Sequence, residues 1–259
     1  MVAAASDPGL KREVNEDSLL ADGPAFVVAD GMGGYECGDQ ASAAVIAAFR
    51  DRFAPSALGE FSMVHEALLA ADDAVVEIAS HTSKGAGSTA TGVILIHHES
   101  HPFWLVFNVG DSRVYRHSGS QLEQLTVDHS LGQELVEAGQ LQPADLATFA
   151  DRNVITRAIG AADSLADSWL VPVVNGERLL ICSDGLHGEV DAESIRAILT
   201  MNGRPDSAVQ VLIDRAKQNG GRDNITAIVI DVMAGGADPL QYETTSAPAA
   251  DGDDDTISV

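Results

Sequence analysis

The sequence predicts a layered α+β fold on three observations. Apolar runs of strand length recur along the chain. They follow one another more often than they alternate with helices, which argues against a parallel βαβ sheet. Four longer segments carry apolar residues at helical spacing. At 259 residues and 45% hydrophobic content, one large core can form without disulfides or a structural metal.

In chain order, the predicted strands are 25–29 (AFVVA), 91–96 (TGVILI), 104–109 (WLVFNV), 169–174 (WLVPVV), 178–182 (RLLIC) and 225–232 (ITAIVIDV). They are rich in β-branched residues and bounded by Gly, Asp or Asn. Several lack apolar–polar alternation, which predicts burial on both faces. Segments 114–116 and 121–125 flank His117-Ser118-Gly119-Ser120, a hairpin turn. The first helix carries Ala41, Ala44, Val45, Ala48 and Phe49 on one stripe. The second spans 62–81, with Val64, Ala67, Leu68, Ala71, Val75 and Ile78 inward. The third starts after Asp191 as N-cap and buries Ile195, Ile198 and Leu199. The fourth has Pro205 in its first turn and Gly220 at its end. Residues 130–155 are polar, helix-prone and interrupted by Gly139 and Pro143, which predicts an inserted lid. Residues 235–259 hold six acidic and no basic residues and few large apolar groups. A disordered acidic tail is expected there, with residues 1–234 forming the domain. Asp253-Asp254-Asp255-Thr256 in that tail reads mainly as a solubilising run.

Charge narrows the function. The formal net charge is −24, from 15 Lys+Arg against 39 Asp+Glu. Nucleic acid and anionic membrane surfaces are therefore not expected partners, because both need a basic face. Cys37 and Cys182 are far apart and read as free thiols of a reducing cytoplasm. The N-terminus lacks a signal-peptide pattern, and no segment approaches the ~20 apolar residues of a membrane span. His97, His98 and His101 lack partners at ligand spacing and read as a solvated loop.

The informative pattern is carboxylates at strand ends. The first strand runs into Asp30-Gly31-Met32-Gly33-Gly34, the third into Gly110-Asp111, and the fifth into Ser183-Asp184-Gly185. The sixth is preceded by Gly221-Arg222-Asp223-Asn224, and Arg12-Glu13-Val14-Asn15-Glu16-Asp17 adds more. A single Asp-Gly after a strand is an ordinary turn. Four together suggest a convergent set. Converging carboxylates without His or Cys select Mg²⁺ or Mn²⁺ over Zn²⁺, since hard cations prefer oxygen.

These stretches resemble the bacterial metal-dependent serine/threonine phosphatases of the type-2C (PPM) class. The matching segments are SDPGLKREVNEDS, VVADGMGGYECGDQAS, GAGSTATGVI, FNVGDSRVYR, LTVDHSL, NVITRAIG, LLICSDGL and GGRDNITAIVI, in order from about Ser6 to Val232. The resemblance implies an αββα sandwich of two antiparallel sheets flanked by helices. It implies two metal ions, Mn²⁺ or Mg²⁺, with Asp30 bridging them and Gly31 offering its carbonyl. Asp184 and Asp223 would hold the first ion, and Glu16 the second with Asp17 alongside. Asp111 matches a third, weaker position. Arg12 would grip the substrate phosphate, and a metal-bridging hydroxide would attack phosphorus directly. Met32 stands where some eukaryotic members have a proposed general-acid His, and Met donates no proton. His129 is a candidate replacement, set against a lid-orienting role. Thr89 and Thr91 are expected to orient ligands, and Asn224 to brace the loop carrying Asp223. The implied substrates are phosphorylated proteins, with a serine/threonine kinase and its targets as partners of a cytoplasmic monomer. The competing expectations are a weakly catalytic metal-binding scaffold of the same fold and a small-phosphoester hydrolase.

Overall fold

Side-chain parity along the central strands shows why the molecule has four layers. In the computed structural model, which describes residues 1–32, 37–53 and 58–238, β3 (Ala25–Met32) is buried on both faces. Phe26 and Val28 join one apolar cluster while Val27 and Ala29 join another. The same split occurs in β10 (Arg178–Cys182), with Leu179 and Ile181 on one side and Leu180 and Cys182 on the other. It occurs again in β11 (Ile225–Asp231), between Ile228 and Ile230 and their neighbours Ala227 and Val229. Successive strand residues face opposite ways, so a strand apolar at every position needs cover on both sides.

The remaining strands are β1 (Val2–Asp7), β2 (Asp17–Asp22), β4 (Gly87–Ser88), β5 (Ala90–His98), β6 (His101–Val109), β7 (Arg113–Ser118), β8 (Gln121–Gln124) and β9 (Asp167–Pro172). The helices are α1 (Gly38–Arg52), α2 (Phe61–Ser80), α3 (Leu131–Glu137), α4 (Asp184–His187), α5 (Ala192–Met201) and α6 (Pro205–Asn219). One sheet has the order β1-β11-β10-β7-β8 and the other β2-β3-β5-β6-β9, with β4 appended to β3. Every strand pairing within them is antiparallel. The cluster holding Phe26, Val28, Trp104, Val106, Ile181 and Ile228 fills the space between the sheets. A second packs α1 and α2 on the outer face of one sheet, and a third packs α4 to α6 on the other. This is the αββα sandwich.

The predicted helices form within a residue or two of expectation. Asp191 Oδ1 accepts from Ser194 N (2.8 Å) as the N-cap of α5. α6 opens on Pro205 and stops at Gly220. Three strands escaped prediction, among them the two-residue β4. β1 is mostly alanine and serine and is defined by its pairing with β11. β2 is a six-residue segment bounded by aspartates that pairs with β3. The three histidines expected in a loop instead end β5 and open β6, where His98 pairs with His101 and packs edge-on against Phe103.

Residues 131–154 make an excursion whose ends meet. Leu131 N donates to Val154 O (2.8 Å), and Thr156 N to His129 O (2.9 Å). Within it lie α3 and a 3₁₀ turn, Pro143–Thr148. The chain keeps packing past residue 234, since Ala237 N donates to Val173 O (2.8 Å). The rest of the expected tail, including Asp253 to Thr256, lies outside the described residues, as do Gly33 and Gly34. Among the described residues no helix is long and apolar enough to cross a membrane.

Candidate active site

The strand ends deliver five carboxylates to one edge of the sandwich. Asp17 and Asp30 sit opposite each other across the β2–β3 pair. Asp184 follows β10 at the first turn of α4, Asp223 precedes β11, and Asp111 follows β6. The surroundings identify them as one set. Burial pushes Asp30 well above the usual carboxylate range, and the negative charges of Asp17, Asp184, Asp111 and Asp223 push it further. Burial likewise raises Asp17 to about 7, with Asp184 and Asp223 adding to it. Asp111 is raised by burial, then by Asp184 and Asp128, and Asp184 by burial, then by Asp223. Carboxylates that raise one another this way are close and poorly compensated.

Backbone architecture fixes the set. Asp30 N donates to Thr89 Oγ1 (2.9 Å), Thr89 N to Asp30 O (2.9 Å), and Ser88 Oγ to the same carbonyl (3.1 Å). Gly31 N donates to Glu16 O (3.1 Å). A Cβ on Gly31 would stand 2.0 Å from the carbonyl oxygen of Gly38, so only glycine fits there. A Cβ on Gly38 would in turn stand 2.3 Å from Glu16 Oε1, which puts the Glu16 carboxylate beside this turn.

Arg12 is the cation at the edge. Its Nη2 donates to Asp223 Oδ2 (2.7 Å), and the charges of Asp223, Glu16 and Asp30 hold the guanidinium protonated. It is half exposed.

Several expected roles shift. Asn224 was expected to brace Asp223, and its N–H does donate to Asp223 Oδ1 (2.9 Å). Its side chain, however, braces the loop before β2. Nδ2 donates to Pro8 O (3.1 Å) and Val14 O (3.0 Å), and Oδ1 accepts from Glu16 N (2.8 Å). Thr89 orients the Asp30 backbone rather than a carboxylate, and is itself in contact with Ser112 Oγ (3.0 Å). Thr91 donates to Asn108 Oδ1 (2.5 Å) and belongs to the strand interior. His129 is buried with both ring nitrogens engaged. Nδ1 accepts from Gly110 N (3.2 Å), and Nε2 faces Asp167 Oδ2 (3.2 Å). It offers no proton to the cleft and ties the residue before Asp111 to β9. Cys182 is a fully buried hydrophobe whose thiol burial pushes up to about 12.

Sequence reasoning missed Ser183. Its hydroxyl donates to Asp17 Oδ2 (2.8 Å) and accepts from Thr226 N (3.0 Å), linking β2 to β10 and β11. A hydroxyl directly before Asp184 was the available signal. Also missed was Arg113, which forks onto Asp128 (Nε–Oδ1 2.8 Å, Nη2–Oδ2 2.6 Å).

The donor set suits a hard divalent cation. All its side-chain donors are carboxylate oxygens. Asp17 Oδ1 and Asp111 Oδ1 are buried and have no hydrogen-bond partner. Among the described residues no group of three or more His, Cys, Asp or Glu side chains is already arranged to hold a metal ion. A cleft of about 540 Å³ opens beside them, lined by Asp111, Asp184 and Asp223 and walled in part by the 131–154 excursion.

Comparisons with known proteins converge. The family model for Protein phosphatase 2C matches residues 11–212. The serine/threonine protein phosphatase PstP of Mycobacterium tuberculosis is 33% identical over 260 residues, covering 99% of this chain and 49% of that protein. This chain thus spans about half the length of that relative. Among solved structures, the PPM Ser-Thr phosphatase MsPP from Mycobacterium smegmatis, in complex with cacodylate, superposes with a TM-score of 0.82 at 35% identity. That match covers 90% of this chain and 98% of the other. The catalytic domain of serine threonine protein phosphatase PstP, in complex with 2 manganese ions, gives 0.79 at 30% identity over 90% and 98%.

Proposed function

The chain belongs to the protein phosphatase 2C family, and we propose that it is a metal-dependent protein serine/threonine phosphatase. The observation that carries this is the convergence of Asp17, Asp30, Asp111 and Asp184, pushed up by burial and by neighbouring carboxylates, with Arg12 on Asp223 at the rim and Arg113 acting on Asp111 as the cations beside them. Burying mutually repelling carboxylates is costly unless cations join them.

Asp30, Asp184 and Asp223 would hold one Mn²⁺ or Mg²⁺. Asp30, the Gly31 carbonyl and Glu16 would hold a second, with Asp17 alongside and Asp111 serving a third. When bound, the two ions supply an activated water and offset charge on the phosphoryl oxygens. The protein's own part is positioning. Thr89 and Ser88 hold the Asp30 backbone, Ser183 holds Asp17, and Asn224 holds the loop that carries Arg12 and Glu16. Arg12 engages Asp223 through Nη2, so its other N–H groups are available to grip a phosphate. Neither Met32 nor His129 presents a proton to the leaving oxygen. The substrates are phosphorylated proteins, among them a serine/threonine kinase of the same cell and that kinase's targets. The setting is the cytoplasm and the working unit a monomer.

The direct test is hydrolysis of p-nitrophenyl phosphate and of phosphothreonine peptides with and without Mn²⁺. Metal-dependent turnover is expected, lost in Asp184→Asn. Full activity in excess chelator would overturn the proposal, and stoichiometric metal binding without turnover would favour the scaffold.

A further inference from the structure

Beside the carboxylate edge, the other arginines that wall the cleft are already paired, and the wall carboxylate Asp191 is bound only by neutral donors. Arg113 is forked onto Asp128. Arg222 is forked onto Glu189 (Nε–Oε1 2.8 Å, Nη2–Oε2 2.9 Å). Asp191 accepts two bonds from Ser194 (2.8 and 3.0 Å). Among the arginines lining the cleft, Arg152 alone differs. It lines the cleft from the excursion, is exposed, and has no ion-pair partner among the described residues. Its backbone is anchored, with its Cα 3.4 Å from where a Gly132 Cβ would stand on α3. Of the three arginines lining the cleft, Arg152 is therefore the one whose guanidinium is not committed to a carboxylate.

We propose that Arg152 recognises a second anionic group on the substrate, within a few residues of the phosphorylated one, so that acidic phosphopeptides are preferred. The proposal rests on the phosphatase reading above and adds a substrate class to it. An acidic side chain in the cleft meets repulsion from the carboxylates and finds an uncommitted cation only at Arg152; a basic one placed beside Arg152 is repelled by it. Specificity of this kind comes from the penalty on the wrong charge as much as from attraction to the right one.

The experiment measures kcat/KM of the full chain with Mn²⁺ on a phosphothreonine peptide with alanine flanks. Variants of the peptide carry Glu or Lys at each nearby position, and one carries a second phosphate. Glu at the favoured position is expected to gain about 3- to 10-fold over Ala, the range of one partly exposed ion pair, and Lys to lose as much. Arg152→Ala should erase the difference and Arg152→Glu reverse it. Turnover of p-nitrophenyl phosphate should stay within about twofold, because Arg152 is placed outside the reacting centre. A gain from the second phosphate larger than from Glu would identify phosphate as the recognised anion. An unchanged Glu/Ala ratio in Arg152→Ala and Arg152→Glu overturns the proposal, as does equal cleavage of all peptides by the unaltered enzyme. Cleavage of no peptide, with p-nitrophenyl phosphate still hydrolysed, strikes the protein-phosphatase reading itself.

Discussion

Strands β10 and β11 bury carboxylates at both ends, and the two ends solve the problem differently. At one end, Asp231 receives a fork from Arg178 (Nε–Oδ1 2.5 Å, Nη2–Oδ2 2.8 Å). The remaining Arg178 nitrogen donates to Leu199 O and Asn202 O (2.7 and 2.6 Å). Asp231 and Arg178 thus complete each other, although the neighbouring buried Glu177 keeps one oxygen, Oε2, without a hydrogen bond. At the other end, Asp184 and Asp223 join Asp17, Asp30 and Asp111, two carboxylate oxygens have no partner, and Arg12 at the rim is half exposed. One fold thus contains a completed ion pair and an unfinished one on the same two strands. The first serves stability, and the second leaves its completion to ions from solution. Both ends can be broken, with opposite consequences expected.

The largest effect is expected at the unfinished end. Asp30→Asn should lower Mn²⁺-dependent kcat by on the order of 10⁴-fold, about 5 kcal/mol of transition-state stabilisation. The same change should raise the melting temperature of the metal-free protein, since it removes a repelled buried charge. Added Mn²⁺ should then stabilise it less than the parent. Calorimetry with and without metal, set beside the kinetics, checks both halves. A variant that loses stability in chelator would equate the two ends and defeat the comparison.

At the completed end, Arg178→Ala strands Asp231 in a buried position. Removing one partner of a buried pair costs about 3–5 kcal/mol. Chemical denaturation should show that loss, while kcat of the folded fraction stays unchanged. A fall in kcat without a fall in stability would tie this end to catalysis.

How much of this contrast is legible in the sequence differs between the ends. Asp30, Asp111 and Asp184 announce themselves because each adjoins an apolar run and a glycine, whereas Asp17 has no glycine beside it. Strand 178–182 is readable to the residue for the same local reason. The Arg178–Asp231 pair is invisible, since it exists only through an antiparallel register 53 residues apart. Asn224 illustrates the same limit: its partners at Pro8, Val14 and Glu16 lie more than two hundred residues away, and no local pattern names them. β1 is silent because alanine and serine carry no strand preference; β11 makes it a strand. The two sheets could not be told apart by periodicity, because strands apolar on both faces lose the alternation that marks an inside and an outside.

Acidity offers a subtler discriminator. Asp17 is raised to about 7, far above an unfolded aspartate. Between those two values the native state binds more protons than the unfolded one, so metal-free stability should fall as pH rises from about 5 to 7.5. Buried His187 and His117, whose pKa values are lowered, act in the opposite sense. The slope is therefore best read as a difference, with Asp17→Asn flattening it by a few degrees in melting temperature across the window. Saturating Mn²⁺ should flatten the parent in the same way, because a cation keeps the carboxylate ionised. An Asp17→Asn slope identical to the parent's would mean that this carboxylate is already compensated, like Asp231.

The smallest expected effect falls on a residue that belongs to neither end. His129 joins Gly110, beside Asp111, to Asp167, and Arg157 Nη1 donates to Asp167 Oδ1 (3.0 Å) within the same group. A proton donor to the leaving oxygen would slow alkyl phosphates far more than aryl ones when removed, because aryl leaving groups need no acid. A residue that only holds Asp111's strand end in place slows both alike. His129→Ala is therefore expected to reduce kcat/KM on p-nitrophenyl phosphate and on a phosphothreonine peptide by the same few-fold, without a change in pH profile. A selective loss on the peptide with the acidic limb of the profile displaced would restore His129 as the acid. It would also show that a buried, doubly bonded imidazole can leave Asp167 during the reaction.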